Sequence, residues 1–490
     1  MMGHRLRCLV LGLSASAGAG LPALTAMMTS AVAYGDVSPD PADPTTIGLV
    51  IGPSGVPIPG SAYVQAANLL YIQPNFPDTT YPDPYANGLF TPEYPVLAVP
   101  FSDNYPTATT GPLAGFPDQG TSVGQGMLIL DNAIASDQAA GDASTVFGWS
   151  QSSTIASLVM EQLDSSGKPE PDAGLQFVLV GDPNAPNGGL SVRFDGLNLP
   201  SEGISFDSAT PANSFPTDIY TLEYDGFADY PRYPIDVLAD LNADLGLVDP
   251  HGLYLSLTPT QIADEAFLLP GSAALGADTL TNYYMIDETP PLVSALPQPL
   301  QALLGPDLTY LINLGYGADN LGYSTPANVP TEFGLFPDVS PITVFDGLVA
   351  GAQQGINAFE ADLANPAVWL PSASASSSLP SLSDLFAGLS ADVSDPSATI
   401  TNISDGIATA SAALSALQLQ TSDIAYGVFF SIPAYDLTLF QDNLSNPLDA
   451  IGLPLAADTG LLTLAGGIEF DLAAGAVTTA VNAITAALIP

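Results

Sequence analysis

Basic residues are nearly missing from this chain. Five of its 490 residues are Lys or Arg, against 50 Asp and Glu, for a net charge of −45. So few cations cannot neutralise a phosphate backbone, which excludes nucleic-acid binding. Anionic membrane surfaces repel such a chain as well. Cysteine is also scarce: Cys8 is the only one, so no internal disulfide and no thiolate metal cage can form. Histidine occurs only at His4 and His251, too few for the usual zinc ligand sets. No D-x-D-x-D-G loop suggests a calcium site. The expectation is therefore an activity without metal or cofactor.

What is present is apolar. Hydrophobic residues make up 47 % of the chain, which excludes a solvated disordered acid. Gly (45) and Pro (46) stay below the ~25–30 % that marks low complexity. The length suits one large domain or two, at roughly 100–200 residues each.

Charge placement marks the N-terminus. Arg5 and Arg7 precede an apolar, small-residue stretch from Cys8 to Ala33 that ends Ala31-Val32-Ala33, and no acid occurs before Asp36. This pattern predicts a secretory signal peptide over residues 1–33 and an exported or envelope-associated protein. An uncleaved N-terminal anchor is the alternative, since the stretch is long enough to span a bilayer. Past residue 33 the chain keeps three basic residues (Lys168, Arg193, Arg232) and one histidine, His251.

Apolar patterning then predicts alternating elements. Strands are expected at Thr46–Gly52, Tyr94–Val99, Ser144–Phe147, Leu175–Val180 and Tyr220–Tyr224, with helices at Ser122–Ala140 and Thr154–Leu163. Residues 72–106, with neighbouring Tyr71, read as a Pro- and Tyr-rich surface excursion. Strands interleaved with helices predict an α/β fold with a mostly parallel sheet, here over residues 40–345. Residues 346–490 read as a mainly helical region, interrupted by the Ser/Pro-rich stretch Pro371–Pro380. Its last nineteen residues, Leu472–Pro490, carry no charge, and Val477, Val481, Ile484 and Leu488 fall on one stripe. A packed helix is expected there, with an interfacial helix or lid, or a membrane span, as the alternatives.

One constellation carries chemistry. Gly148-Trp149-Ser150-Gln151-Ser152 stands between a predicted strand and a predicted helix. Strand, G-x-S-x-small and helix is the nucleophile elbow: small flanking residues permit the tight turn that exposes Ser150. A serine nucleophile requires a base, and His251 is the only histidine beyond the signal segment. The order serine, acid, histidine is that of α/β hydrolases. Asp229 is the leading candidate acid, with Asp225 at the strand end and Asp182 as alternatives. Two backbone N–H groups are expected to form an oxyanion hole. One belongs to Gln151 and the other to Ser54, in the loop Gly52-Pro53-Ser54-Gly55.

Several motifs in order carry a family resemblance. They are Leu49-Val-Ile-Gly-Pro-Ser-Gly55, Val146-Phe-Gly-Trp-Ser-Gln-Ser152, Val180-Gly-Asp-Pro-Asn184 and Tyr224-Asp-Gly-Phe-Ala-Asp-Tyr-Pro-Arg-Tyr-Pro234. Over roughly residues 45–290 the chain resembles the mycobacterial PE-PPE domain, a cutinase-like serine α/β hydrolase family with esterase and lipase members. The resemblance implies Ser150 as nucleophile, His251 as base and Asp229, or else Asp225, as acid. The sequence shows no PE or PPE helical module ahead of the domain, which suggests a stand-alone form behind a signal peptide. Stand-alone relatives include envelope acyltransferases that build trehalose glycolipids. The expected function is thus a secreted esterase or lipase acting on an acyl-ester or lipid substrate. Acyl transfer to a trehalose-type glycolipid and a non-catalytic envelope-binding protein are the alternatives.

Overall fold

The computed structural model describes residues 45–56, 58–80, 88, 122–164, 173–200, 204–206, 209–317, 326–363 and 396–488. The expected signal segment, the strand Tyr94–Val99, the linker Pro371–Pro380 and most of the Pro/Tyr-rich excursion lie outside the described residues.

The described strands are β1 (Thr46–Val50), β2 (Thr79–Thr80), β3 (Ala143–Trp149), β4 (Leu175–Val180), β5 (Asn198–Leu199), β6 (Ile204–Ser205), β7 (Thr217–Leu222), β8 (Ala266–Leu268) and β9 (Thr281–Ile286). Seven of them form one sheet in the order β2-β1-β3-β4-β7-β9-β8, and β5 pairs with β6. Every neighbour pair in the large sheet is parallel except β8 with β9. This is the expected α/β hydrolase-like architecture.

β3 and β4 lie near the middle of the sheet and are buried on both faces, so their sequences are nearly continuous apolar runs. Helices α1 (Ser122–Ala140) and α2 (Gln151–Leu163) cover one face. Met127, Leu130 and Ile134 of α1 pack there with Ile155, Val159 and Met160 of α2. The opposite face is covered by a cluster containing Leu70, Tyr71, Phe147, Val178, Leu222 and Tyr254. Tyr71 is fully buried and donates to the Tyr254 carbonyl at 2.8 Å, so it belongs to this core and not to a surface excursion.

Helices α3 (Val237–Gly246) and α4 (Gln298–Tyr316) belong to the stretch expected to carry the sheet. The C-terminal region is helical as expected, with α5 (Pro341–Leu363), α6 (Pro396–Tyr426), α7 (Ile432–Asp442) and α8 (Pro447–Leu488). A π-helical turn, Gly427–Ser431, joins α6 to α7. The last helix starts 25 residues before the predicted Leu472 and runs for 42 residues. Its early part is packed: Ala456, Ala457, Leu461 and Leu464 share a core with Leu190, Phe194, Leu197 and Tyr230. Its tail is mixed: Leu472 and Val481 are half-buried, whereas Val477 is 55 % and Ile484 42 % exposed. By length and composition α8 is the one described helix apolar enough to cross a membrane, although Asp449, Asp458, Glu469 and Asp471 interrupt it.

Candidate active site

Ser150 follows β3 directly and caps the N-terminus of α2. Its backbone is held at φ 60° and ψ −123°, a conformation that L residues avoid. The surroundings impose that strain. The Ser150 N–H donates to the Val180 carbonyl at 3.1 Å, while its own carbonyl accepts from the N–H groups of Ser153 and Thr154. Ser152 Oγ accepts the Trp149 N–H at 2.7 Å and ties the turn from below. A Cβ at Gly148 would stand 2.7 Å from the Ser152 carbonyl oxygen, so a larger residue does not fit. These are the steric demands of a nucleophile elbow, met by the residues singled out in the sequence.

His251 opens a 3₁₀ turn, His251–Ser256, shortly after α3. Its Nε2 lies 2.9 Å from Ser150 Oγ, and its Nδ1 lies 2.8 Å from Asp225 Oδ2 and 2.9 Å from Oδ1. A carboxylate only accepts, so the proton sits on Nδ1. Nε2 is left as the acceptor for the serine hydroxyl. The ring packs against Phe227, with centroids 4.6 Å apart.

The acid against this histidine is Asp225 and not the leading candidate, Asp229. Strand β7 ends at Leu222, two residues before its predicted end at Tyr224. Tyr224 then adopts φ +65°, which turns the chain and aims Asp225 toward His251. Asp225 is fully buried and richly hydrogen-bonded. Its Oδ1 accepts the N–H groups of Phe227 and Ala228 at 2.8 and 3.2 Å, and Oδ2 accepts the Tyr254 hydroxyl at 2.7 Å. Asp229 lies beneath the same turn, where its Oδ2 accepts the Tyr224 N–H at 2.9 Å. Burial pushes Asp229 up to about 7, against a smaller opposing pull from Arg193. Asp182, the third candidate, accepts from Thr210 Oγ1 and the Asn184 N–H, and burial pushes it up to about 6. Both aspartates support loops.

Gly181, next to Asp182, keeps room for the histidine. It has φ +54°, and a Cβ there would lie 2.8 Å from Tyr254 Cε2 and 3.1 Å from His251 Cε1.

Ser54, in the loop after β1, donates its hydroxyl to Gln151 Oε1 at 2.7 Å. The structure thus brings the two predicted oxyanion-hole residues together beside Ser150. All three line a cavity of about 420 Å³, within the range of ligand pockets. Most of its wall is apolar, including Leu158, Leu190, Phe206, Phe227, Val428 and Leu464. Among the described residues, no group of three or more His, Cys, Asp or Glu is placed to hold a metal ion. Sequence reasoning missed Tyr254 as the partner of Asp225. The spacing of an apolar Leu253-Tyr254-Leu255 segment carries no sign of a polar role.

Comparison with known proteins gives the family. The PE-PPE domain model matches residues 82–317. The chain is 40 % identical to Uncharacterized PPE family protein PPE28 of Mycobacterium tuberculosis (strain ATCC 25618 / H37Rv), over 90 % of this chain and 67 % of the relative. It is 40 % identical to Esterase PE16 of the same organism, over 60 % of this chain and 52 % of the relative. Diacyltrehalose acyltransferase Chp2, again from that organism, is 25 % identical over 63 % of this chain and 86 % of the relative. The chain thus spans about two thirds of the first relative's length and about half of the second's. No solved structure matches it. With the family model on the sheet and the elbow, and a relative matched along most of its length, the chain belongs to the PE-PPE domain family.

Proposed function

We propose that this protein is a serine esterase or lipase that cleaves acyl esters through Ser150, His251 and Asp225. The observation that carries the reading is the unbroken hydrogen-bond chain from Ser150 Oγ through His251 to the buried Asp225, set on a strained elbow beside an apolar cavity. Esterase PE16 among the relatives supports the same class.

In this mechanism Ser150 Oγ attacks the ester carbonyl carbon and its proton passes to His251 Nε2. Asp225 holds the ring in the correct tautomer and stabilises the imidazolium. The backbone N–H groups of Ser54 and Gln151 receive the oxyanion. The tetrahedral intermediate expels the alcohol, which takes the proton from His251 and leaves an acyl-serine. Water, deprotonated by the same histidine, then releases the acid and restores the hydroxyl. No step calls for a metal or cofactor.

Acyl transfer is the second reading. It is favoured by the relative named Diacyltrehalose acyltransferase Chp2. The acyl-enzyme is the same, and a sugar hydroxyl replaces water.

The protein is proposed to be exported and to work against envelope lipid. The chemistry of the N-terminal 33 residues supports export. Exposed apolar residues on the π-turn (Phe429, Phe430) and on α7 (Leu437, Phe440) support contact with lipid. No Lys or Arg occurs after Arg232, so an uncharged lipid suits that surface better than an anionic one.

The test is turnover of p-nitrophenyl esters by the full chain, with and without trehalose, beside Ser150→Ala and His251→Ala. Turnover lost in both variants and labelling by a fluorophosphonate support the serine mechanism. Acylated trehalose as the main product selects transfer. A folded protein with neither turnover nor labelling overturns the reading and leaves a binding protein.

A further inference from the structure

The cavity beside Ser150 has two walls from different parts of the chain. One belongs to the sheet domain: Leu158 of α2, Leu190, Leu197 and Phe206. The other belongs to the C-terminal helices. Ile424 lies in the last turn of α6, Gly427 and Val428 sit on the π-turn, and Leu461, Leu464 and Ile468 lie along α8. This second wall lies beyond residue 317, where the match to the family's domain model ends.

We propose that the C-terminal helices α6–α8 and their π-turn form an acyl-binding site that selects long-chain esters. The inference rests on the esterase reading of Ser150 and adds the element that measures the chain.

Three observations carry it. First, the second wall is built of branched aliphatic side chains. Leu461 and Leu464 lie in the same core cluster as Leu190 and Leu197 opposite, so both walls are fixed by packing. Second, the π-turn lies at the cavity. Extra residues in a helical turn of this kind recur at functional sites, and here the turn presents Gly427 and Val428 to the space. Third, the described lining of the cavity carries no cation. Among its described lining residues there is no Lys or Arg, and Asp423 is the one carboxyl. Burial raises that carboxyl toward its neutral form. An alkyl chain attached as an ester is suited to such walls, whereas a fatty-acid anion would find no counter-charge.

Ala465, one turn from Leu461 on α8, is half-buried and lines the cavity. A phenylalanine there narrows the chamber while leaving Ser150, His251 and Asp225 in place. Each methylene denied burial weakens the complex by about fourfold.

The experiment compares p-nitrophenyl palmitate with p-nitrophenyl acetate in wild type, Ala465→Phe and Ile468→Ala. In Ala465→Phe the palmitate-to-acetate ratio of kcat/KM is expected to fall by about tenfold or more, with a wild-type-like thermal melt as the sign of a folded protein. Ile468→Ala, which widens the same wall, is expected to raise that ratio. If Ala465→Phe fails to fold, Ile468→Ala decides alone. An unchanged ratio overturns the proposal. A second arm separates this outcome from failure of the esterase reading. Binding of a pyrene-labelled long-chain alcohol is measured in Ser150→Ala, with and without Ala465→Phe. Saturable binding that Ala465→Phe removes supports the chamber even where no ester is cleaved. No saturable binding overturns it.

Discussion

Tyr254 donates its phenolic hydrogen bond to Asp225 Oδ2 at 2.7 Å, and the same oxygen of Tyr254 accepts the Leu222 N–H at 2.9 Å. One fully buried side chain thereby joins the end of β7 to the carboxylate that faces His251. Tyr254 is a positioning residue: it touches the acid and not the serine. Replacing it by phenylalanine leaves the Leu222 N–H and one Asp225 lone pair unpaired. A loss of about 1–3 kcal/mol in stability is expected, together with a lower kcat at little change in KM. A thermal melt and a pH–rate profile check this. A purely structural role would lower Tm and leave the profile in place.

The assignment of the acid separates two substitutions four residues apart. Asp225→Asn keeps the volume but lets His251 take the wrong tautomer, and kcat is expected to drop by about 10⁴. Asp229→Asn keeps an acceptor for the Tyr224 N–H and is expected to leave kcat within about tenfold. Equal losses in both would remove Asp225 from the mechanism.

Gly181→Ala tests the space around the histidine. The added methyl meets Tyr254 and His251 at a positive φ, so both strain and collision oppose it. Destabilisation of about 1–3 kcal/mol and slower fluorophosphonate labelling are expected, read by denaturant unfolding and by labelling rate.

Acidic residues buried away from water set the pH dependence of stability. Asp240 is fully buried, and neither carboxylate oxygen has a hydrogen-bond partner among the described residues. Burial pushes it up to about 9, with Asp244 and Asp236 adding repulsion. Glu223 is likewise pushed up to about 9, and Asp229 up to about 7, in both cases mainly by burial. Carboxyls raised in the folded state hold protons that the unfolded chain has released. Stability therefore falls as pH rises from the ordinary carboxylate value, near 4, through these folded values. Tm is expected to be higher at about pH 5 than at about pH 8. Asp240→Asn, which cannot ionise, is expected to raise Tm at the higher pH and flatten the slope.

Much of the site was legible because its steric demands are local. The small residues at Gly148 and Ser152 mark the elbow, and one histidine after it left little choice of base. The acid was harder to read. Tyr220–Tyr224 is an apolar run that looks like strand throughout, and only tertiary packing ends β7 at Leu222 and turns Tyr224 to positive φ. That turn decides which aspartate faces the histidine. The C-terminal helices were legible as helices, but their packing faces were not. In α8 apolar residues occur on every side, so no periodicity marks the stretch that meets Leu190 and Phe194.

The shared cluster of Phe194 and Tyr230 with Ala456, Ala457 and Leu461 bears on how the chain can be divided. Tyr230 also donates across it to the Gly460 carbonyl at 3.1 Å. The change of texture near residue 345 is therefore a border in composition and not a seam in the fold. A fragment ending there would keep Ser150, His251 and Asp225 yet bare the apolar side of Leu190, Phe194 and Leu197 to water. Such a fragment would be sticky and aggregation-prone, because the last third of the chain is the permanent cover of that surface.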